Sequence, residues 1–147
     1  MKPRYMDLAL EEARAAAARG EVPVGAVIVR GGTVIARTGN ANRAERDATA
    51  HAEIMAIRQA CRVLDNDRLT DCDLYVTLEP CTMCAAAISF ARIRRLYFAA
   101  EDPKGGAVVH GVRFFDQPTC HHAPDIYGGI AEQAATALLK SFFRERR

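Results

Sequence analysis

The chain has 147 residues, of which 50% are hydrophobic and 26% charged, with a formal net charge of +2. These values sit near globular averages and exclude a disordered tail, a collagen-like chain and a coiled coil. A chain this long buries ~68–70% of its unfolded surface without disulfide help. Its apolar stretches, such as residues 24–29, fall far short of the ~20 residues of a membrane span, so no membrane partner is expected.

Residues 3–19 read as a helix, with apolar positions at Met6, Ala9, Leu10, Ala13 and Ala17 and a stop at Gly20. Glu11, Glu12 and Arg14 interrupt it where a secretory segment would be apolar, which points to a cytoplasmic protein. Residues 22–30 are β-branched and nearly all apolar, the pattern of a strand buried on both faces. Gly31–Gly32 is a hairpin signal, and 33–37 returns antiparallel. Residues 39–47 are polar and irregular. Residues 51–64 carry a helical stripe, with Thr49 as candidate N-cap. Strands are expected at 74–78 and 96–100, helices at 82–92, 107–115 and 131–146, and a short last strand at 126–127. With no linker or repeat, residues 1–147 form one domain. Alternating strands and helices predict an α/β fold, a largely parallel sheet with an antiparallel opening hairpin. Ligands of such sheets sit at the carboxyl ends of strands, and Glu79–Pro80–Cys81 is such an end.

Five cysteines (Cys61, Cys72, Cys81, Cys84 and Cys120) are an odd count that argues against a disulfide framework. Cys81 and Cys84 lie three apart, so at a helix start both thiolates face one way, acidified by the helix N-terminus. His51 supplies a third, nitrogen ligand, and this S₂N set suits zinc. Structural zinc sites close with four protein ligands, whereas catalytic ones keep a place for water. Cys72, Cys120, His110, His121 and His122 remain available as a fourth ligand, but none is closely spaced with Cys81 and Cys84. Cys61 and Cys72 also fit small buried hydrophobes. Glu53 lies two positions beyond His51, so the pair is not expected to chelate one ion, but Glu53 can reach a water on it.

His51-x-Glu53 followed by Pro80-Cys81-x-x-Cys84 is the signature of zinc-dependent nucleobase deaminases. The chain resembles the bacterial tRNA adenosine deaminases in particular, through residues 21–26, 49–54, 74–84, 100–107 and 141–144. The resemblance implies a three-layer α/β/α cytidine deaminase-like fold, a five-stranded mixed sheet and a homodimer. It implies one zinc per chain on His51, Cys81 and Cys84, with Glu53 moving protons. The implied reaction turns the wobble adenosine of a tRNA anticodon loop into inosine. Asn40 matches the position that binds the base, Asp102 and Lys104 match positions contacting the anticodon loop, and Phe143 and Arg144 fall in the matching C-terminal stretch. Gly39 stands where some members carry Trp. No dinucleotide cofactor is expected. The rival readings are a free-base or nucleoside deaminase acting on guanine or cytosine, and a zinc-stabilised RNA-binding subunit without activity.

Basic residues number 20, with only three lysines, Lys2, Lys104 and Lys140. Arginine suits bidentate phosphate contacts. The basic C-terminal turn, with Arg144, Arg146 and Arg147, equally complements a helix dipole.

Overall fold

A computed structural model describes residues 4–146; Lys2 and Arg147 lie outside them. Five strands form one mixed sheet in the order β2-β1-β3-β4-β5. They are β1 (Gly25–Arg30), β2 (Thr33–Gly39), β3 (Cys72–Leu78), β4 (Arg95–Ala100) and β5 (Asp125–Tyr127). The expected hairpin is present, its turn made by Gly31 and Gly32 at φ of 56° and 80°, where glycine alone is free of strain. The sheet is less parallel than the alternation of elements suggested. β1 is antiparallel to β3 as well as to β2, and only β3, β4 and β5 run together.

Helices α1 (Tyr5–Ala18) and α5 (Glu132–Glu145) cover one face; α3 (Ala52–Leu64) and α4 (Thr82–Ala91) cover the other. Strand alternation divides the core accordingly. Val27 and Val29 pack with Met6, Ala9, Leu10 and Ala135, while Ala26 and Ile28 pack with Ala52, Ala56, Ala60 and Ile88. Both faces of β1 are therefore apolar, which explains its unbroken hydrophobic run. Alanines 9, 13 and 16 let α1 sit close to β1. At Gly25 even a Cβ would collide with the Ala9 carbonyl, so that close approach requires glycine.

Three local expectations give way. The helix expected at 107–115 is a loop ending in a short 3-10 turn, Phe114–Asp116. Its amides at Val108, Val109 and His110 donate to the Glu79 carboxylate instead of to a preceding helical turn. Residues 39–47 contain a four-residue helix, α2 (Asn42–Glu45). Glu21, buried at 3% exposure, accepts the amides of Arg43 and Ala44 and so caps it from a distant part of the chain. Thr49 does not cap α3; its N–H and hydroxyl both donate to Asp47 Oδ1, and the Ala52 amide goes to Asn40 Oδ1.

Candidate metal centre and pocket

The three ligand candidates meet at two helix starts. His51 is the extended N-cap of α3, Cys81 is the extended N-cap of α4, and Cys84 lies one turn into α4. His51 Nδ1 is 3.6 Å from Cys81 Sγ and 3.5 Å from Cys84 Sγ. An ion with metal–sulfur bonds of ~2.3 Å and metal–nitrogen bonds of ~2.0–2.1 Å, held tetrahedrally, places sulfur and nitrogen about 3.6 Å apart. The side chains thus stand at ligand spacing, and all three donor atoms lie within 4.8 Å of one another.

Electrostatics favour a cation there. The hydrogen bond from the Cys84 thiol, then that to His51, holds the Cys81 thiol down to about 4. Cys84 is pushed up in turn by sharing that hydrogen bond with Cys81 and by burial. His51 is drawn above its ordinary imidazole value by its hydrogen bond to Cys81. A thiol held towards its thiolate form beneath the positive ends of two helices is the donor set that a metal cation requires.

The cluster opens into a cavity of about 340 Å³ lined by Asn40, His51, Glu53, Cys81, Asp102 and Gly105 among others. Glu53 is only 4% exposed, and burial pushes its carboxyl up to about 7. A carboxyl poised there exchanges protons readily near neutrality. Asn40 lies across the pocket, its Oδ1 bound to the Ala52 N–H at 2.7 Å. Asp102 forms the rim; its Oδ1 accepts the N–H groups of Lys104 (3.2 Å) and Gly105 (3.0 Å). The Lys104 side chain is exposed. Phe143 and Arg144 do not join the metal pocket. They line a neighbouring groove with Ala100, Glu101, Leu139 and Lys140, next in sequence to the Asp102 rim.

None of the residues left open as a fourth ligand joins the cluster. Cys72 is buried at the opposite end of β3. Cys120 lies 3.6 Å from Ser89 Oγ and His122 Nε2 lies 2.7 Å from the Ile93 carbonyl, so this segment fastens to the far end of α4. His110 is engaged with Glu79 at 2.8 Å. Sequence reasoning named Glu79 only as part of a strand end and His110 only as a possible fourth ligand, and it missed the contact between them. The available signal was an acid at the carboxyl end of a strand, directly before the first cysteine ligand.

A three-donor cluster facing a buried carboxylate at the carboxyl end of β3, in this α/β/α sandwich, defines a hydrolytic deaminase. The comparisons agree. The chain is 65% identical to a tRNA-specific adenosine deaminase of Agrobacterium fabrum, over 99% of this chain and 96% of that one. A solved structure from work on A-to-I editing by tRNA:A34 deaminases at the wobble position superposes with a TM-score of 0.91 at 67% identity, covering 92% of this chain and 98% of that one. A guanine deaminase from Nitrosomonas europaea superposes with a TM-score of 0.77 at 26% identity, covering 93% of this chain and 81% of that one. The protein belongs to the MafB19-like deaminase family, which matches residues 2–147, and within it to the group of tRNA-specific adenosine deaminases.

Proposed function

We propose that this chain hydrolyses the wobble adenosine of a tRNA anticodon loop to inosine, releasing ammonia, with zinc held by His51, Cys81 and Cys84. The observation that carries the reading is the convergence of that cluster, Glu53 and Asn40 on one cavity, in a chain 65% identical to a tRNA-specific adenosine deaminase. Zinc, if held by those three residues, would supply hydroxide near neutrality by lowering the pKa of water from 15.7 to roughly 7. Glu53 takes the proton released by the water and passes it to ring nitrogen 1 as carbon 6 becomes tetrahedral. It then carries the proton of the new hydroxyl on carbon 6 to the amine, the carbon–nitrogen bond breaks, and water and adenosine have become inosine and ammonia. Asn40 orients the base through its amide nitrogen. Asp102 accepts a hydrogen bond from a ribose 2′-hydroxyl, the group that distinguishes RNA from DNA, and Lys104, Phe143 and Arg144 engage the surrounding loop. A base in a single-stranded loop leaves its stack at low cost, which suits a closed pocket.

We further infer a cytoplasmic homodimer formed of single-domain chains. Phe90 on α4 is 76% exposed, a large apolar surface that a second copy would cover. Among the described residues no helix is long and apolar enough to cross a membrane.

The decisive experiment measures metal content and ammonia release on an anticodon stem-loop beside free adenosine and free guanine. One zinc per chain and strong preference for the stem-loop support the proposal. Comparable turnover of free guanine would move the chain to the activity of its guanine deaminase neighbour, and zinc without any turnover would leave a binding subunit.

A further inference from the structure

The Glu79 side chain has no exposed surface, although it is an ionisable residue at the edge of the pocket. Its two oxygens divide the segment that follows β4. Oε1 accepts the Asp102 N–H at 3.0 Å and faces His110 Nδ1 at 2.8 Å. Oε2 accepts the N–H groups of Val108 (3.1 Å), Val109 (3.0 Å) and His110 (3.2 Å). Burial raises the carboxyl, but these hydrogen bonds outweigh it and hold Glu79 below the ordinary glutamate value. The segment also closes on itself and on the metal-site helix start: Gly106 N–H donates to the Asp102 carbonyl at 2.8 Å, and Ala107 N–H to the Pro80 carbonyl at 2.9 Å. At Gly106 a Cβ would strike the Glu79 carboxyl, so backbone packs directly against it.

We propose that Glu79 is a positioning residue for substrate, a buried anchor that fixes the Asp102 rim at a set height above the metal cluster. Only Pro80 separates it from Cys81, so one short stretch of chain carries both the metal ligand and the anchor of the rim that meets the RNA. Glu79 therefore governs how tightly the loop is gripped and leaves the chemical step to Glu53. The assignment rests on the reading of Asp102 as a ribose contact. It also gives His110 a task. Its ring lies between Glu79 Oε1 at 2.8 Å and Glu101 Oε1 at 3.6 Å, bracing the anchor from outside the pocket.

The unequal division of hydrogen bonds supplies a clean test. In Glu79→Gln the oxygen is best placed at the Oε2 position, where three amides need an acceptor. The new NH₂ then occupies the Oε1 position, where neutral His110 Nδ1 can accept from it but the Asp102 N–H meets donor with donor. Glu79→Gln thus releases Asp102 while keeping residues 108–110 in place. In the free, metal-loaded protein, hydrogen exchange should quicken at the Asp102 N–H and stay unchanged at 108–110. On the anticodon stem-loop, KM should rise about tenfold, the worth of one hydrogen bond, with kcat and zinc content nearly unchanged. In an Asp102→Ala background Glu79→Gln should add nothing further, because both act through one contact. Additive effects, a fall in kcat at constant KM, or loss of zinc would overturn the proposal. Should the wild-type protein fail to deaminate the stem-loop, the functional reading falls, while the exchange pattern still decides whether Glu79 holds Asp102.

Discussion

Asn40 accepts the backbone N–H of Ala52 through its side-chain oxygen at 2.7 Å. An N–H must find an acceptor, so this bond fixes the orientation of the amide and leaves its nitrogen, a donor, for a ligand in the pocket. One residue therefore caps α3, whose N-cap is the ligand candidate His51, and also keeps a free donor in the lining of the pocket.

The first prediction separates those two tasks. Asn40→Asp keeps an oxygen for Ala52 and replaces the donor with a carboxylate oxygen. Against the acceptor nitrogens of a purine this exchanges attraction for repulsion. KM for the stem-loop should rise by at least about tenfold, with thermal stability and zinc content close to wild type. Asn40→Ala should lose stability as well, since a missing cap costs ~0.5–2 kcal/mol. Steady-state kinetics beside thermal melts distinguish the two, and an Asn40→Asp variant with normal KM would remove Asn40 from substrate recognition.

The second concerns Glu53. Burial pushes its carboxyl up to about 7, so its ionised form costs the fold something that glutamine would not. Glu53→Gln should keep zinc, melt no lower than wild type, and lose activity by ~10²–10⁴-fold, the usual contribution of a general acid–base group. Because one carboxylate serves several transfers, the upper end is expected. Loss of zinc in this variant would make Glu53 a ligand and refute its role as proton carrier.

Why was the metal centre legible in the sequence while its surroundings were not? Cys81 and Cys84 are neighbours on one helix turn, and His51 opens another helix, so short-range spacing places all three. The hydrophobic runs likewise announce the strands, because β1 is apolar on both faces. What escaped depends on contacts across long stretches of chain. The segment beyond Gly106 has helix-compatible residues, yet a carboxylate 29 to 31 positions earlier claims its amides. Glu21 caps α2 from 22 and 23 positions away. Pairing of β1 with β3 reverses the direction expected from alternation, since periodicity shows which residues are buried and says nothing of which strand lies beside which.

A third prediction follows from the tyrosines on the α1/α5 face. Tyr75 and Tyr97 stack at 4.3 Å with 2° between ring planes, and Tyr127 continues the stack at 4.9 Å. Burial, then the neighbouring Tyr97, pushes the Tyr75 hydroxyl well above its ordinary value of 10.0. The folded state thus holds Tyr75 neutral where the unfolded chain ionises it. This contribution is complete below pH 10 and is lost progressively as pH rises beyond it. Urea unfolding between neutral pH and pH ~11 should show a steeper alkaline decline for wild type than for Tyr75→Phe. Identical slopes would place the alkaline sensitivity elsewhere.

The last prediction concerns substrate choice, which the metal chemistry alone does not set, because a guanine deaminase shares the same fold. Preference for an RNA loop has to come from contacts away from the reacting carbon, whose binding energy fixes the geometry of reaction. In the proposed function Asp102 and Lys104 divide that work. Asp102 Oδ1 is occupied by the amides of Lys104 and Gly105, which leaves Oδ2 for a ribose hydroxyl. Asp102→Asn keeps the turn and offers an NH₂ in its place, so the advantage of ribose over deoxyribose should shrink, read as the ratio of kcat/KM for the two loops. Lys104 is exposed on the same turn, and in the proposed function it meets phosphate. Lys104→Ala should weaken stem-loop binding modestly and flatten the dependence of log K on log salt by about 0.7, the contribution of one neutralised charge on a single strand. Zinc content should not change in either variant. An unchanged salt slope for Lys104→Ala, together with an unchanged ribose preference for Asp102→Asn, would show that the rim does not touch the nucleic acid and that selectivity arises inside the pocket.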